Sequence, residues 1–470
     1  MINFANLEQY RENNRIEAKK ALGGLPHSIW ETYSAFANAL GGIILLGVEE
    51  QKDHSLHPVS LPEPDHMVKQ FWNLLNDSKK VSANILNPSD VSVETVDGKH
   101  IIAIRVPRAH RTDKPIFVEG NPYTGSYRRN GEGDYRCTKE EVDAMLRDAT
   151  LRSGDMEILP DLGVDALDFD TVEDYRRKGN DINPHHPWLQ LSQTEFLIET
   201  GAVQADGSGK LHPTVAGLLL LGKQAALRQV FPGFHPKLSS PYASASPHWK
   251  NLYRFYFGAL DILSQSIPVT EAIGSSQQNA IYRALKEALV NCLIHADYHG
   301  ECDVEIVCAP NEITLTNPGR FRIDIEIAKS GSISDSRNSA LTKLFRFIGI
   351  GSGRGGGLAD IFSVWNQMGW SAPSIAERFD PDRITLTLPL GKEGLLARHL
   401  SRNQPLGSLP LQRQAIVNHL TQHITVTAGQ VGELLGMPLQ DADRLLWQMV
   451  TDSILSIEDN DSALLYRLKA

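Results

Sequence analysis

The sequence predicts a multidomain protein of the α+β class, and three observations lead there. The chain has 470 residues, and at roughly 150 residues per domain that length calls for three or four units. Helix-period and strand-period apolar patterns alternate over residues 1–150 and again over 251–392, with a less regular stretch between them. Residues 408–470 then read as three helices followed by a hairpin, the order of a winged helix. With 41% hydrophobic and 22% charged residues the chain can build ordinary cores, which excludes a disordered or fibrous protein.

Each element has its own local reason. Leu25 to Asn38 has an apolar face of Ile29, Tyr33, Phe36 and Ala37, so it reads as a helix, broken by Gly41–Gly42. Ile43 to Val48 is a buried strand, and His66 to Asn76 a second helix. Val91–Val96 and Ile101–Val106 flank Asp97–Gly98, a hairpin signal. Thr138 caps a helix to Arg147 with Glu141 at the capping-box position. Residues 151–250 read as a helical connector, with helices over Gln193–Thr200 and Pro213–Gly222. A helix from about Asn279 to His295, strands over Asp303–Cys308 and Glu312–Asn317 and a final strand over Ile384–Pro389 make the third unit. Asn403 to Gly407 is a linker. The tail has helices over Gln412–Gln422, Ala428–Leu435 and Gln440–Thr451 and a hairpin around Asp459–Asn460–Asp461.

The net charge of −10 excludes a protein that coats DNA through bulk positive charge. It is an average over unlike parts. Between Lys99 and Lys139 stand nine cations (Lys99, Arg105, Arg108, Arg111, Lys114, Arg128, Arg129, Arg136, Lys139) against Asp113, Glu119, Glu132 and Asp134, a local +5. Tyr123, Tyr127 and Tyr135 interleave with them, a pattern suited to stacking on unpaired bases as well as to a solvated hairpin. Four cysteines without C-x-x-C spacing suit a reducing cytosol, and the N-terminus lacks an apolar signal segment. No apolar run reaches the roughly 18 residues of a membrane span. The expectation is a cytoplasmic protein with no membrane partner.

Glu12-x4-Glu17-x-Lys19 precedes the first helix, and Glu49–Glu50 ends the first strand. By spacing alone two glutamates in an amphipathic segment read as solvated charges. Carboxylates at strand ends also suit Mg²⁺ or Mn²⁺, and Lys19 suits a phosphate. The string from Glu12 to Glu49, with Ala35–Phe36–Ala37–Asn38, Gly41–Gly42 and Gly47–Val48, resembles the Schlafen AlbA-type domain, as does the close GSYRRNGEGDYRCTKEEVDAML with its Arg129. The resemblance covers residues 1–150 and implies nucleic-acid binding. It extends to members that are metal-dependent endoribonucleases, whose three acids fall on Glu12, Glu17 and Glu49 or Glu50. Ala18 and the glutamate at the third acidic position depart from the family pattern. The nucleic-acid contacts are then expected from Lys19, Arg105, Arg108, Arg111, Arg128 and Arg129.

Glu287 and Asn291 are four residues apart on a helix and share a face, an arrangement that suits a water-positioning carboxylate beside a Mg²⁺-binding amide. Six of residues 349–357 are glycine, so backbone N–H groups there can close on phosphates. Together, EALVN…HADY, TNPGRF, Ser336–Arg337–Asn338 and the glycine run before Leu358 resemble the GHKL (Bergerat) ATP-binding class over residues 251–392. The resemblance implies ATP with Mg²⁺ and an α/β sandwich. It places Glu287 as the catalytic group and Asn291 as the metal ligand, with Asp297, Asn317, Gly319, Gly353, Gly355, Gly356 and Gly357 around the nucleotide. Ala296 stands where the class usually has Arg, and no adenine-reading Asp accompanies Asn317.

The tail, residues 408–470, has four cations against seven acids, the wrong sign for phosphate contacts, so its expected role is a protein–protein or oligomer contact, and a homo-oligomer is expected. The sequence thus supports two expected functions: an ATP-binding, nucleic-acid-binding regulator, and a metal-dependent Schlafen-like endoribonuclease in stress or anti-phage defence.

Overall fold

The computed structural model describes residues 4–131, 133–241, 249–267, 275–300, 302–309, 311–331, 333, 335–351, 356–379 and 381–391. Beyond these it describes 425–435, 454–460 and 463–468, with positions 413, 416, 417, 419, 420, 442, 445, 446 and 449. Gly353 and Gly355, and most of the expected helices over 412–422 and 440–451, lie outside the described residues.

The first unit runs β1 (Ile16–Lys19), α1 (Ile29–Asn38), β2 (Gly42–Leu46), β3 (Val48–Glu50), β4 (Leu56–Pro58), α2 (Pro64–Leu75), β5 (Val91–Val96), β6 (Lys99–Val106), α3 (Pro122–Gly125), β7 (Tyr127–Asn130), β8 (Gly133–Arg136) and α4 (Lys139–Ala149). Its main sheet has the order β1-β2-β6-β5, with β1 parallel to β2 and the other pairs antiparallel. Strand alternation sends Ile44, Leu46, Ile102 and Ile104 to one face, against Ile29, Tyr33 and Phe36 of α1 and Phe71 of α2. Leu45, Ile101 and Ala103 go to the other face, against Leu7, Ile16 and Leu56. The segment holding Glu17 and Lys19 is therefore an edge strand. Its Ile16 is buried while its charges line the sheet margin.

The second unit runs α5 (Phe169–Ile182), α6 (Gln193–Thr200), β9 (Val203–Ala205), β10 (Leu211–Pro213), α7 (Val215–Leu221), α8 (Gln224–Val230), β11 (Lys237–Ser239), α9 (Leu252–Gln265), α10 (Ser275–Ile294), β12 (Glu305–Ala309), β13 (Glu312–Pro318), α11 (Ile325–Ser330), α12 (Ser339–Phe347), α13 (Gly357–Gln367), β14 (Ser374–Arg378) and β15 (Arg383–Pro389). The sheet order is β11-β12-β13-β15-β14. The expected connector is not a separate layer. One hydrophobic core runs from Ala166 through the wholly buried α7 and on to α10, α13 and β15. β11 from the same stretch pairs in parallel with β12. An all-apolar helix such as VAGLLLL cannot stand in solvent, so residues 151–250 and 251–392 fold around a shared interior.

In the tail the helix Ala428–Leu435 and the hairpin Leu455–Asn460/Ala463–Leu468 lie where the sequence places them. Ile416, Val417, Leu420, Val431, Leu446 and Tyr466 share a small core. Among the described residues no helix is long and apolar enough to cross a membrane.

Candidate functional site

α10 carries Glu287 and Asn291 four residues apart, His295 lies four further on just past its end, and all three line one cleft. Its apolar side comes from the sheet: Leu315, Ile375, Ile384 and Leu386, with Asn317 at the end of β13. The rim opposite is Arg320, Phe321, Arg322, Asp335 and Ser336, then Gly351, Gly357 and Leu358. Four segments far apart in the chain thus converge, and Glu287, Asn291, Asn317 and Gly357 meet as expected from the sequence. Gly357 opens α13 directly over Glu287, and a Cβ there would lie 2.0 Å from Glu287 Oε1. Gly356 immediately precedes that helix. The amide of Asn291, the carboxylate of Glu287 and the N-terminal end of α13 are a donor set that suits a nucleotide with Mg²⁺.

Two residues assigned to this site do structural work beside it. Asp297 is buried and pairs with Arg147 at 3.2 Å and Arg337 at 4.0 Å. Burial pushes its carboxyl up, but Arg337 and Arg147 outweigh burial and hold it below the usual range. Gly319 has φ +101 and packs so closely on Arg337 that a Cβ would lie 2.9 Å from its Nη2. His295 goes the other way: burial, reinforced by Arg337 and Arg322, lowers its imidazole to about 4.

The N-terminal acids come together only in part. Burial raises the Glu12 carboxyl, with Glu17 and Glu50 adding to the effect. Glu49 pairs with Lys20 at 2.5 Å. Glu12 Oε1 accepts from the Ala18 N–H at 2.8 Å, and Glu17 is neutralised by Lys19 at 2.8 Å and Arg129 at 2.9 Å. Carboxylates already matched by cations and an N–H do not fit a divalent metal in this arrangement. Among the described residues no group of three His, Cys, Asp or Glu could hold one.

Several cations of the basic segment are turned inward, while Lys99, Arg136 and Lys139 are exposed. Arg129, its side chain 1% exposed, bonds the carbonyls of Asn13 and Ile16, pairs with Asp134 at 3.0 Å and covers the Phe36 ring. Arg128 pairs with Glu141 at 3.2 Å. Arg105 is half-buried on β6 opposite Ile43. Of the tyrosines, Tyr123 and Tyr127 bond Asp143 and Glu31, while Tyr135 is exposed.

Arg108 and Arg111 reach the second unit. Arg108 pairs with Glu377 at 2.5 and 3.0 Å and donates to the Phe321 carbonyl. Arg111 pairs with Asp335 and donates to the carbonyls of Asp148 and Thr150. In return Arg320 reaches the Asn38 carbonyl at 3.1 Å, and Arg337 pairs with Asp148. The two most recognisable motifs of the sequence, Ala35–Asn38 and Thr316–Phe321, therefore touch. Gly41, at φ +76, lets the turn after α1 pass close to the chain at the end of β6: a Cβ there would lie 2.9 Å from the Arg108 main-chain nitrogen. Sequence reading overlooked Arg320, Asp335 and Glu377 as functional residues. Arg320 stands in the motif TNPGRF just past the end of β13, and that position was the available signal.

Family models match three stretches of the chain. Residues 12–138 match the family "Schlafen, AlbA_2". Residues 143–237 match a domain of unknown function, DUF8451. Residues 301–388 match the family "Putative ATP-dependent DNA helicase recG C-terminal". No curated protein matches. Among solved structures, the DIP2311 protein from Corynebacterium diphtheriae is 17% identical, with a TM-score of 0.38, over 97% of this chain and 92% of that one. The N-terminal domain of a RecG-related protein from Nitrosomonas europaea is 33% identical, with a TM-score of 0.23, over 29% of this chain and 95% of that domain. The chain joins a Schlafen AlbA_2 domain to an ATPase-type domain of the RecG C-terminal family.

Proposed function

We propose that this chain is an ATP-binding, nucleic-acid-binding regulator in which nucleotide occupancy of the cleft controls how the AlbA_2 domain engages DNA or RNA. The observation that carries the reading is the sharing of residues between cleft and domain contact. Arg320, Phe321 and Asp335 line the cleft, and the same three meet Asn38, Arg108 and Arg111 of the AlbA_2 domain. A ligand that shifts the rim must shift those contacts, and the coupling is reciprocal. Bound ATP would supply the phosphoanhydride, with Mg²⁺ neutralising its charge. Asn291 would hold the metal, and Glu287 would orient water at the phosphate. The test is nucleic-acid affinity of the full chain with and without Mg²⁺–ATP, beside the Asn291→Ala variant. Nucleotide should change wild-type affinity and leave the variant unmoved; equal affinity with and without nucleotide sinks the coupling.

A second reading, a metal-dependent Schlafen-like endoribonuclease acting on tRNA or other RNA, draws on the match of residues 12–138 to the Schlafen AlbA_2 family, and a metal could bind there only after Lys19 and Arg129 release Glu17. Its test is incubation with tRNA and Mn²⁺. No cleavage, or cleavage undiminished in Glu17→Ala, removes it.

A further inference from the structure

Two cations of the basic segment expected to meet nucleic acid, Arg108 and Arg111, are covered by carboxylates of the other domain, and how they are covered bears on regulation. Arg108 and Glu377 make a two-pronged pair, Nη1 to Oε2 at 2.5 Å and Nη2 to Oε1 at 3.0 Å. A phosphate presents the same fork of oxygens to a guanidinium. The Glu377 side chain is 1% exposed and also accepts the Phe321 N–H at 2.9 Å, so it is held in place for this pairing. Asp335 meets Arg111 through a single contact, Nε to Oδ2, and its other oxygen faces Arg322 at 3.5 Å. Glu377 sits on β14, the edge strand of the second sheet, and Asp335 on the loop that rims the cleft.

We propose that Glu377 and Asp335 stand in for nucleic-acid phosphates on Arg108 and Arg111, making this arrangement an autoinhibited state of the AlbA_2 domain. The inference rests on the reading that this domain binds nucleic acid. A carboxylate on the same chain acts at a high effective concentration, so a phosphodiester in dilute solution must displace it to reach either arginine. Arg128 and Arg129 differ in kind. Their carboxylates, Glu141, Asp134 and Glu17, belong to their own unit, so movement between units does not release them. Asp335 links masking to the cleft because it faces both Arg111 and the space a nucleotide would occupy.

The experiment compares the nucleotide-free full chain with its Glu377→Gln/Asp335→Asn variant, in which amides keep the shape and remove the charge. Anisotropy of a labelled single-stranded RNA and a labelled DNA duplex is followed from about 50 to 200 mM salt, and hydrogen exchange is measured over residues 107–114. The variant should bind roughly tenfold tighter, with a log-affinity against log-salt slope steeper by about 1.8 on the duplex and about 1.4 on the single strand, because each freed arginine adds about 0.9 or about 0.7 respectively. Equal affinity and slope in a variant whose 107–114 amides exchange faster overturn the masking and leave the nucleic-acid reading standing. No binding by either protein overturns both. Should exchange over 107–114 stay at the wild-type rate, Glu377→Arg, which repels Arg108, takes the variant's place under the same criteria.

Discussion

Arg320 donates to the main-chain carbonyl of Asn38 at 3.1 Å, across 282 residues of sequence. Lys114 donates to the same oxygen at 2.9 Å. That carbonyl ends α1, where unpaired C=O groups gather partial negative charge, so the Arg320 guanidinium and the Lys114 amine, which burial holds well below the usual lysine range, meet at one helix terminus from different units. Arg320 also holds Asp382 at 2.5 Å. Arg320→Met should therefore strand a largely buried carboxylate and cost about 3 kcal/mol. Urea unfolding would show it as a lower midpoint, and Arg320→Lys should recover only part, having no fork to reach both partners.

Arg129 poses a trap for functional mutagenesis. Its guanidinium ties Asn13, Ile16, Glu17 and Asp134 together inside the AlbA_2 domain. Arg129→Ala should destabilise the chain by about 3–5 kcal/mol, the usual cost of breaking a buried ion pair from one side. Circular dichroism melts on the purified variant check this. Lost nucleic-acid binding in an unfolded variant would say nothing about contact.

Gly357→Ala should act on chemistry rather than on the fold. The added methyl would collide with the Glu287 carboxylate, the movable end of a side chain, and push it aside. We expect a melting temperature within a few degrees of wild type, because yielding side chains limit the cost to about 1 kcal/mol. Any ATP turnover should fall by about tenfold or more with the loss of a positioned carboxylate. A phosphate-release assay beside a nucleotide titration separates the two effects.

His295 makes stability depend on acid. The free imidazole titrates near 6.5, and in the folded chain burial lowers it to about 4. Between those values the unfolded chain carries a proton that the folded chain refuses, so stability is fully present above about pH 6.5 and declines as pH falls toward 4. By pH 4 the decline should reach about 3 kcal/mol. His295→Gln should flatten it in unfolding curves taken at pH 6.5, 5.5 and 4.5.

Periodicity was enough for most elements. Gln193–Thr200 and Ala428–Leu435 fall at the expected bounds, and the Thr138–Glu141 capping box forms. The converging residues of the cleft were legible because α10 displays its polar face at a fixed interval. What escaped depended on partners far away in sequence. β1 is short and charged, and becomes a strand only because β2 lies beside it. Arg108 and Arg111 read as surface cations, since nothing local announces Glu377 or Asp335. Asn38 is likewise explained only by its fold. Its side chain bonds the Ile116 N–H and the carbonyls of Ile116 and Tyr127, knitting helix to loop.

β11 is only three residues, Lys237–Ser239, yet it closes one margin of the five-stranded sheet beside β12. A fragment cut at residue 251 would leave the main-chain N–H and C=O row of β12 open to any passing strand, a template for aggregation. It would also bare the side of α9 that packs against α7. The ATPase-type half is therefore portable only as a block that begins before Phe169. Recombination that separated residues 143–237 from the α9–β15 segment would yield inclusion bodies rather than a smaller nucleotide-binding module.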